Sequence, residues 1–168
     1  LKRLSINIIR PDINKCYADF SSDGKNFLYA LGAIKSVGFE AISKIVEERT
    51  KNGEFKDLTD FINRVNPKDI NKLQLEGLVK AGAFDNLNSN RQSLLNSIPN
   101  IILKSKNIFE NNSANQIDLF QEDDDKTYLD IIDDWNVDVK LSNEFETLGF
   151  FISDHPLNQY KSLFNQYN

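Results

Sequence analysis

One pattern of eight residues occurs twice in the chain, with a period of 44 residues. Residues 32–39 read Gly-Ala-Ile-Lys-Ser-Val-Gly-Phe, and residues 76–83 read Glu-Gly-Leu-Val-Lys-Ala-Gly-Ala. In each copy an apolar stretch at helical spacing leads to a glycine, Gly38 or Gly82, that can adopt a left-handed backbone in a tight turn. The repeat therefore predicts two units in which a glycine turn joins two helices.

Helical spacing of apolar residues continues outside the two turns. We expect N-caps at Asp57, Asn71 and Asn90, because their side chains can accept a hydrogen bond from the first turn of a helix. Pro99 is expected to kink or break the helix that follows Asn90. The predicted helices cover residues 39–51, a short stretch between Asp57 and Asn66-Pro67, a stretch from Asn71 to just before Gly82, Asn90 to near Phe109, the region of Leu141, Phe145 and Leu148, and a last helix from His155-Pro156.

Two extended runs precede the first helix. Asn14–Phe20 and Asn26–Leu31 carry aromatic residues and flank Asp23-Gly24, which offers the positive φ angles of a tight turn. This arrangement predicts a β-hairpin. The predicted fold is therefore mainly α, with a small N-terminal β-hairpin and a C-terminal helical extension.

Charge is unevenly distributed along the chain. Residues 1–100 carry fifteen Lys or Arg and twelve Asp or Glu, whereas residues 101–168 carry five and thirteen, within a total net charge of −5. The distribution indicates more than the total does, because a locally basic face can contact nucleic acid. The first hundred residues can therefore contact phosphate groups, whereas the acidic remainder would repel them.

Composition excludes several classes of protein. Cys16 is the only cysteine and His155 the only histidine, so one copy cannot form a disulfide framework or a zinc site of cysteine and histidine ligands. No apolar run approaches the roughly 20 residues of a membrane span. The sequence predicts a cytoplasmic protein without a membrane segment.

The two glycine turns are candidate phosphate sites. A turn of this kind is expected to point successive backbone N–H groups outward, and the positive end of the next helix adds to their attraction for an anion. Such contacts read no base, so binding would be independent of sequence. The alternative is that each glycine is an ordinary helix C-cap without a ligand. The residues predicted to contact DNA are Lys35, Ser36, Val37, Gly38, Phe39, Lys44, Lys80, Ala81, Gly82 and Ala83.

A short apolar motif interrupts the polar, acidic stretch of residues 110–127, which is expected to be a loop or linker. Its residues, Gln116, Ile117, Asp118, Leu119 and Phe120, closely resemble the peptide by which bacterial replication proteins dock on the sliding clamp. In such docking, Leu119 and Phe120 would fill a hydrophobic pocket and Gln116 would form a hydrogen bond. The alternative is that the apolar residues fold back onto their own domain.

Nearly the whole chain resembles one segment of the alpha subunit of bacterial DNA polymerase III, a replicative polymerase of the C family. The resemblance rests on motifs in the family's order and approximate spacing. These motifs are Pro11-Asp12-Ile13-Asn14, Ala18-Asp19-Phe20, Leu31-Gly32-Ala33-Ile34-Lys35, Leu78-Val79-Lys80-Ala81-Gly82-Ala83-Phe84-Asp85, Leu148-Gly149-Phe150 and His155-Pro156-Leu157. Two positions depart from the family pattern, because Ser36 and Asp154 stand where glycine is frequent.

The resemblance implies three regions. Residues 1–31 would end the fingers region and contain the β-hairpin, residues 32–100 would form a tandem helix-hairpin-helix DNA-binding domain, and residues 101–168 would form a clamp-binding region with the acidic linker 110–127. The implied partners are duplex DNA, the sliding clamp and other subunits of the polymerase holoenzyme.

The resemblance also implies that this segment has no catalytic residue, metal ligand or cofactor of its own. In the family, the carboxylates that hold the catalytic metal ions, expected to be Mg²⁺, lie in the palm domain, and further metal ligands lie in the N-terminal phosphoesterase-like domain. We interpret the acidic run Glu122-Asp123-Asp124-Asp125 as solvated loop residues and His155 as part of a structural turn.

Two other classes of protein remain open. A free-standing DNA-repair or recombination adaptor with tandem hairpins would also bind duplex DNA, but it would not need the motifs on both sides of the hairpins. An isolated hydrolase would need a compact set of catalytic groups, and the sequence does not contain a recognisable one.

Overall fold

The computed structural model describes residues 7–113 and 129–154. The predicted helix from His155, the motif Gln116–Phe120 and residues 114–127 of the acidic stretch lie outside these ranges. Within them, the chain is mainly helical and has a small sheet near its N-terminal side. This agrees with the fold class that the sequence predicts.

The sheet has three short strands. β1 (Asn7–Ile9) pairs in parallel with β3 (Asn26–Leu28), and β3 pairs antiparallel with β2 (Ser21–Ser22). Gly24 has a φ of 89° in the turn between β2 and β3, so the predicted β-hairpin is present. Its first strand covers only Ser21–Ser22, however, and not the predicted Asn14–Phe20.

Long-range hydrogen bonds explain why the chain around Asn14 is not a strand. The Asn14 side chain donates to the carbonyl of Phe55 (2.8 Å) and accepts from the N–H of Phe55 (2.9 Å). The N–H of Asn14 donates to the Asp12 carboxylate (2.8 Å). These contacts hold a turn where the sequence predicts an extended run.

The described ranges contain five α-helices after a single 3₁₀ turn at Leu31–Ala33. The predicted caps are confirmed, because Asp57, Asn71 and Asn90 accept hydrogen bonds from the N–H groups of Asp60, Gln74 and Ser93 (2.8, 3.0 and 2.9 Å). The helices are α1 (Phe39–Asn52), α2 (Leu58–Arg64), α3 (Lys72–Lys80), α4 (Arg91–Ser113) and α5 (Val137–Leu148).

Helix α4 continues through Pro99, so the predicted break does not occur there. Ile98 and Ile101 lie on either side of this proline and are almost fully buried, at 1% and 4% exposure. The packing of this apolar face against α2 and α3 offsets the roughly 3 kcal/mol that an internal proline costs a helix. The helix also extends past the predicted end near Phe109, so residues 110–113 of the predicted linker are helical.

One hydrophobic core contains residues from both glycine turns and from the turn around Asn14. Its buried members include Ile13, Val37, Ala81 and Ile101. Burial of such side chains is the main favourable contribution to folding, at about 25 cal/mol for each Å² of apolar surface. The two glycine turns are therefore held in fixed positions by a shared core.

The segment that begins at residue 129 lies along the first turns of α4. The N–H of Asp130 donates to Ser97 Oγ (2.8 Å), and the Asn90 side chain donates to the carbonyl of Ile132 (2.7 Å). Helix α5 follows and packs against α3. This path brings α5 to the two glycine turns.

Candidate nucleic-acid interface

The first glycine turn is exposed at its tip. This first hairpin comprises residues 34–38, and the N–H of Val37 donates to the carbonyl of Ile34 (3.1 Å). Ser36 and Gly38 both have positive φ angles, of 68° and 79°. The side chain of Val37 points into the core, whereas Lys35, Ser36 and Gly38 are exposed.

Helix α1 begins directly after this hairpin, with Gly38 as its N-cap. Gly38 has no side chain to accept from the first N–H groups of the helix, and these groups have no partner within the helix. Phe39, the first helical residue, is 61% exposed. The first hairpin therefore offers backbone donors and the positive end of a helix on one open surface, although Glu40 adds a negative charge in the same turn.

Three contacts hold the first hairpin from behind. The N–H of Lys35 donates to the carbonyl of Thr147 in α5 (3.0 Å). The side-chain amide of Gln74 in α3 donates to the carbonyl of Val37 (2.8 Å). Gly77 lets α3 approach closely, because a Cβ there would lie 2.8 Å from the carbonyl oxygen of Lys35.

The second glycine turn is buried. This second hairpin comprises residues 79–83, and Gly82 has the predicted positive φ, at 80°. Its N–H donates to the carbonyl of Val79 (3.0 Å), and the N–H of Ala83 donates to the carbonyl of Leu78 (2.9 Å). These two bonds form a Schellman cap at the end of α3. The N–H groups of Gly82 and Ala83 therefore point inward, contrary to the expectation from sequence.

Arg91, the first residue of α4, covers the second hairpin. Its guanidinium makes two hydrogen bonds to the carboxylate of Asp85 (2.8 and 2.6 Å) and one to the carboxylate of Glu144 (3.0 Å). Burial acts to lower the pKa of Arg91, but the hydrogen bonds and charges of these two carboxylates outweigh it and raise the pKa. Arg91 therefore remains a cation in a nearly closed site.

Glu144 of α5 completes this ionic group and is fully buried. Its carboxylate accepts hydrogen bonds from the N–H groups of Ile152 (3.3 Å) and Ser153 (3.0 Å), and from the Ser153 hydroxyl. A buried charge is tolerated when it is paired and its lone pairs are satisfied. Arg91 and Glu144 thus join the start of α4, the middle of α5 and the chain after α5 beside the second hairpin.

The second hairpin also binds the turn around Asn14. The carbonyl of Ala83 accepts from the N–H of Ile13 (2.8 Å), and the side chain of Asn86 donates to the carboxylate of Asp12 (2.5 Å). The second hairpin is therefore contacted both by the turn around Asn14, which precedes it in the chain, and by Arg91, which follows it.

The three lysines predicted to contact DNA have different surroundings. Lys35 is exposed at the first hairpin. Lys44 is exposed on α1 and lies 3.4 Å from the carboxylate of Glu47, which is also mostly exposed. Lys80 is 24% exposed and pairs with Glu146 of α5 at 3.3 Å. Lys35 and Lys44 can reach an external anion, whereas Lys80 is already held within the protein.

Several residues that shape the site were not predicted from sequence: Gln74, Gly77, Arg91, Glu144 and Thr147. A glycine inside a helical pattern often marks a close backbone approach, so Gly77 carried a detectable signal. The other four act through partners distant in the chain, and a local pattern does not indicate those partners.

Within residues 7–113 and 129–154, no group of three or more His, Cys, Asp or Glu residues is arranged to hold a metal ion. None of the helices in these ranges is long and apolar enough to cross a membrane.

Comparisons with known proteins agree with the hairpin geometry. A family model described as a helix-hairpin-helix motif matches residues 5–94. The DNA polymerase III alpha subunit of Caulobacter vibrioides is 35% identical over 93% of this chain, and that of Campylobacter jejuni is 36% identical over 98%. The same subunit of Rickettsia conorii is 39% identical over 84% of the chain. The matched part spans only 14%, 14% and 12% of these three relatives.

Proposed function

This chain belongs to the helix-hairpin-helix motif family and resembles one segment of bacterial DNA polymerase III alpha subunits, and from this we propose that it holds duplex DNA and docks on the sliding clamp. In this role it supports processive DNA synthesis by a larger replicative polymerase. The observation that carries the proposal is the exposed first hairpin at the start of α1. Its backbone donors suit a phosphate oxygen and read no base.

The first hairpin is the proposed point of contact with DNA. The exposed backbone of Ser36, Gly38 and Phe39 would donate hydrogen bonds to one or two phosphates, and Lys35 and Lys44 would add positive charge. Such a grip depends on counterion release and weakens as salt rises. Because it reads no base, it suits a polymerase that must move along any sequence.

The second hairpin has a supporting role in this proposal. Ala81, Gly82 and Ala83 were predicted from sequence to contact DNA, but they are buried, and the N–H groups of Gly82 and Ala83 cap α3. We therefore assign them to the frame that holds α3 and α4 in place. Lys80 belongs to the same frame through Glu146.

The clamp-docking role rests on the motif from Gln116 to Phe120, which lies outside the described residues. The resemblance of this motif to clamp-binding peptides supports the proposal. A peptide contact and a backbone grip on one chain raise the effective concentration of each partner near the other. Two weak contacts can then hold the polymerase on DNA longer than either contact alone.

The chemistry of nucleotide addition belongs to other parts of the proposed parent polymerase. The parent would bind Mg²⁺ in its palm domain, act in the cytoplasm, and assemble with the other subunits of the holoenzyme. The 168-residue chain is expected to be inactive in a primer-extension assay with any divalent metal. Primer extension by the chain alone would contradict this division of roles.

Binding to duplex DNA tests the main proposal. Fluorescence anisotropy with two labelled duplexes of unrelated sequence should give similar affinities, and log Kobs should fall linearly with log salt concentration. The control for substitutions in the first hairpin is Gly24→Ala. It changes another exposed glycine with a positive φ, in the turn between β2 and β3, and should bind DNA as the wild-type chain does. An affinity that did not change with salt would contradict capture of the DNA backbone.

A further inference from the structure

Gln74 makes two hydrogen bonds that serve different parts of the molecule. Its Oε1 accepts from the N–H of Asn71 (2.8 Å), which completes a capping box at the start of α3. Its Nε2 donates to the carbonyl of Val37 in the first hairpin (2.8 Å). The capping box stabilises α3, whereas the second bond acts on a peptide group in another part of the chain.

That peptide group joins Val37 to Gly38. The described chain has no cis peptide bond, and in a trans peptide the C=O and the N–H point in opposite directions. When Gln74 holds the carbonyl of Val37 toward α3, the N–H of Gly38 must point away from α3. This N–H has no acceptor among the described residues, and Gly38 is exposed.

On the Gly38 side, the backbone does not fix the orientation of this peptide. Gly38 lacks a Cβ and tolerates both signs of φ, and a Cβ there would meet no atom within 4 Å. Rotation of the peptide would turn the carbonyl of Val37 outward, where it would repel a phosphate. The bond from Gln74 opposes this rotation.

We propose that Gln74 is a positioning residue for DNA, because it selects the peptide orientation in which the N–H of Gly38 faces an incoming phosphate. The inference rests on the proposed function of the first hairpin. It assigns to α3 a direct role in the binding geometry of the first hairpin. Gln74 itself touches no DNA in this arrangement.

Three variants of the 168-residue chain separate this role from general stabilisation. Gln74→Glu keeps the acceptor of the capping box but replaces the donor to Val37. Gln74→Met removes both functions without adding charge. Asn71→Ala removes the other half of the capping box and leaves the bond to Val37 in place. Each variant is measured by DNA affinity, by thermal midpoint, and by the amide resonance of Gly38 in an ¹H–¹⁵N spectrum.

Both Gln74 variants should bind duplex DNA about tenfold more weakly, since one hydrogen bond to a charged group is lost. In both, the Gly38 resonance should shift in the free protein. Asn71→Ala should lower the thermal midpoint, keep the Gly38 resonance and bind DNA within about twofold of wild type, since it leaves the hairpin bond intact.

Two results would overturn the inference. If Gln74→Met bound DNA as the wild-type chain does while Gln74→Glu bound weakly, ionic repulsion would explain the loss. An unchanged Gly38 resonance in both Gln74 variants would show that the peptide needs no bond to Gln74. Failure of the wild-type chain to bind DNA would instead refute the proposed function, and the Gly38 resonance would still decide whether Gln74 orients the peptide.

Discussion

The guanidinium of Arg91 occupies the space that a side chain at Gly82 would need. A Cβ at Gly82 would lie 2.7 Å from Arg91 Cζ and 3.0 Å from Asp85 Oδ2. Gly38 has nearly the same φ angle, but a Cβ there would meet no atom within 4 Å. The two equivalent glycines of the sequence repeat therefore have different roles. Gly82 leaves room for the side chain of Arg91, whereas Gly38 keeps the backbone of the first hairpin exposed.

Alanine substitutions should distinguish these two glycines. A positive φ costs an L-residue on the order of 1–3 kcal/mol in both places, and Gly82→Ala should lose a further 1–3 kcal/mol, roughly, because the new methyl group displaces Arg91. Urea unfolding measures the two losses. Equal losses for Gly38→Ala and Gly82→Ala would show that the contact between Arg91 and Gly82 does not constrain the fold.

The salt dependence of DNA binding should separate the lysines. Lys35→Ala should reduce the slope of log Kobs against log salt by about 0.9, because one phosphate contact is lost. Lys80→Ala should change the slope less, since Lys80 pairs with Glu146. The control is Lys106→Ala, an exposed position on α4, which should leave the slope unchanged. A larger effect at Lys80 than at Lys35 would move the DNA contact to the second hairpin.

Removal of the buried carboxylate of Glu144 should strongly destabilise the chain. Glu144→Ala deprives Arg91 of one partner and leaves the N–H groups of Ile152 and Ser153 without their acceptor. The expected loss is about 3 kcal/mol, at the lower end of the range for broken buried pairs because Asp85 still pairs with Arg91. Glu146→Ala, two residues away and exposed, should cost at most about 1 kcal/mol. Urea unfolding of both variants makes the comparison.

Acid should weaken the contact between Asp134, in the segment before α5, and the start of α4. Burial acts to raise the pKa of Asp134, but Lys140 and the N–H groups of Gln92 and Trp135 outweigh it and lower the pKa below the ordinary value of 3.8. The carboxylate therefore contributes stability above pH 3.8, and this contribution is lost as the pH falls through the lower value of the folded state. Asp134→Asn should be less stable than wild type at pH 7, and the difference should shrink below pH 3.8. A difference that grew as pH fell would contradict this sign.

Clamp docking should depend on two side chains of the motif Gln116–Phe120, namely Leu119 and Phe120. Leu119→Ala combined with Phe120→Ala should abolish binding to purified sliding clamp, because both anchors of the proposed pocket are removed. Surface plasmon resonance gives the measurement. Ile131→Ala is the control, since Ile131 is fully exposed in the segment that follows the acidic stretch. Unchanged binding by the double variant would refute the assignment of the motif.

Local side-chain chemistry made much of the fold predictable. The caps at Asp57, Asn71 and Asn90 depend on a side chain and an N–H group three residues later, so the sequence alone indicates where three helices begin. The turn at Gly24 depends on the same kind of short-range contact, because Asp23 Oδ1 accepts from the N–H groups of Lys25 and Asn26. These contacts join residues two or three positions apart, so they do not depend on partners distant in the chain.

Other features depended on partners distant in the chain and could not be predicted in this way. The turn at Asn14 is held by Phe55, and the helix at Pro99 is held by the core. At the site, both glycines adopt the predicted positive φ, but only Gly38 is exposed. The difference arises from Arg91 and Glu144, whose pairing joins residues that a repeat of eight positions does not contain.

The hydrogen bond from Lys35 to Thr147 affects the order in which the chain can fold during its synthesis. A ribosome releases the N-terminal part first, at about 5–20 residues per second, so the first hairpin emerges several seconds before the carbonyl that supports it. Until then the nascent chain lacks one support of the surface proposed to contact DNA. A growing polypeptide would thus complete the surface proposed to contact nucleic acid only after α5 has left the exit tunnel.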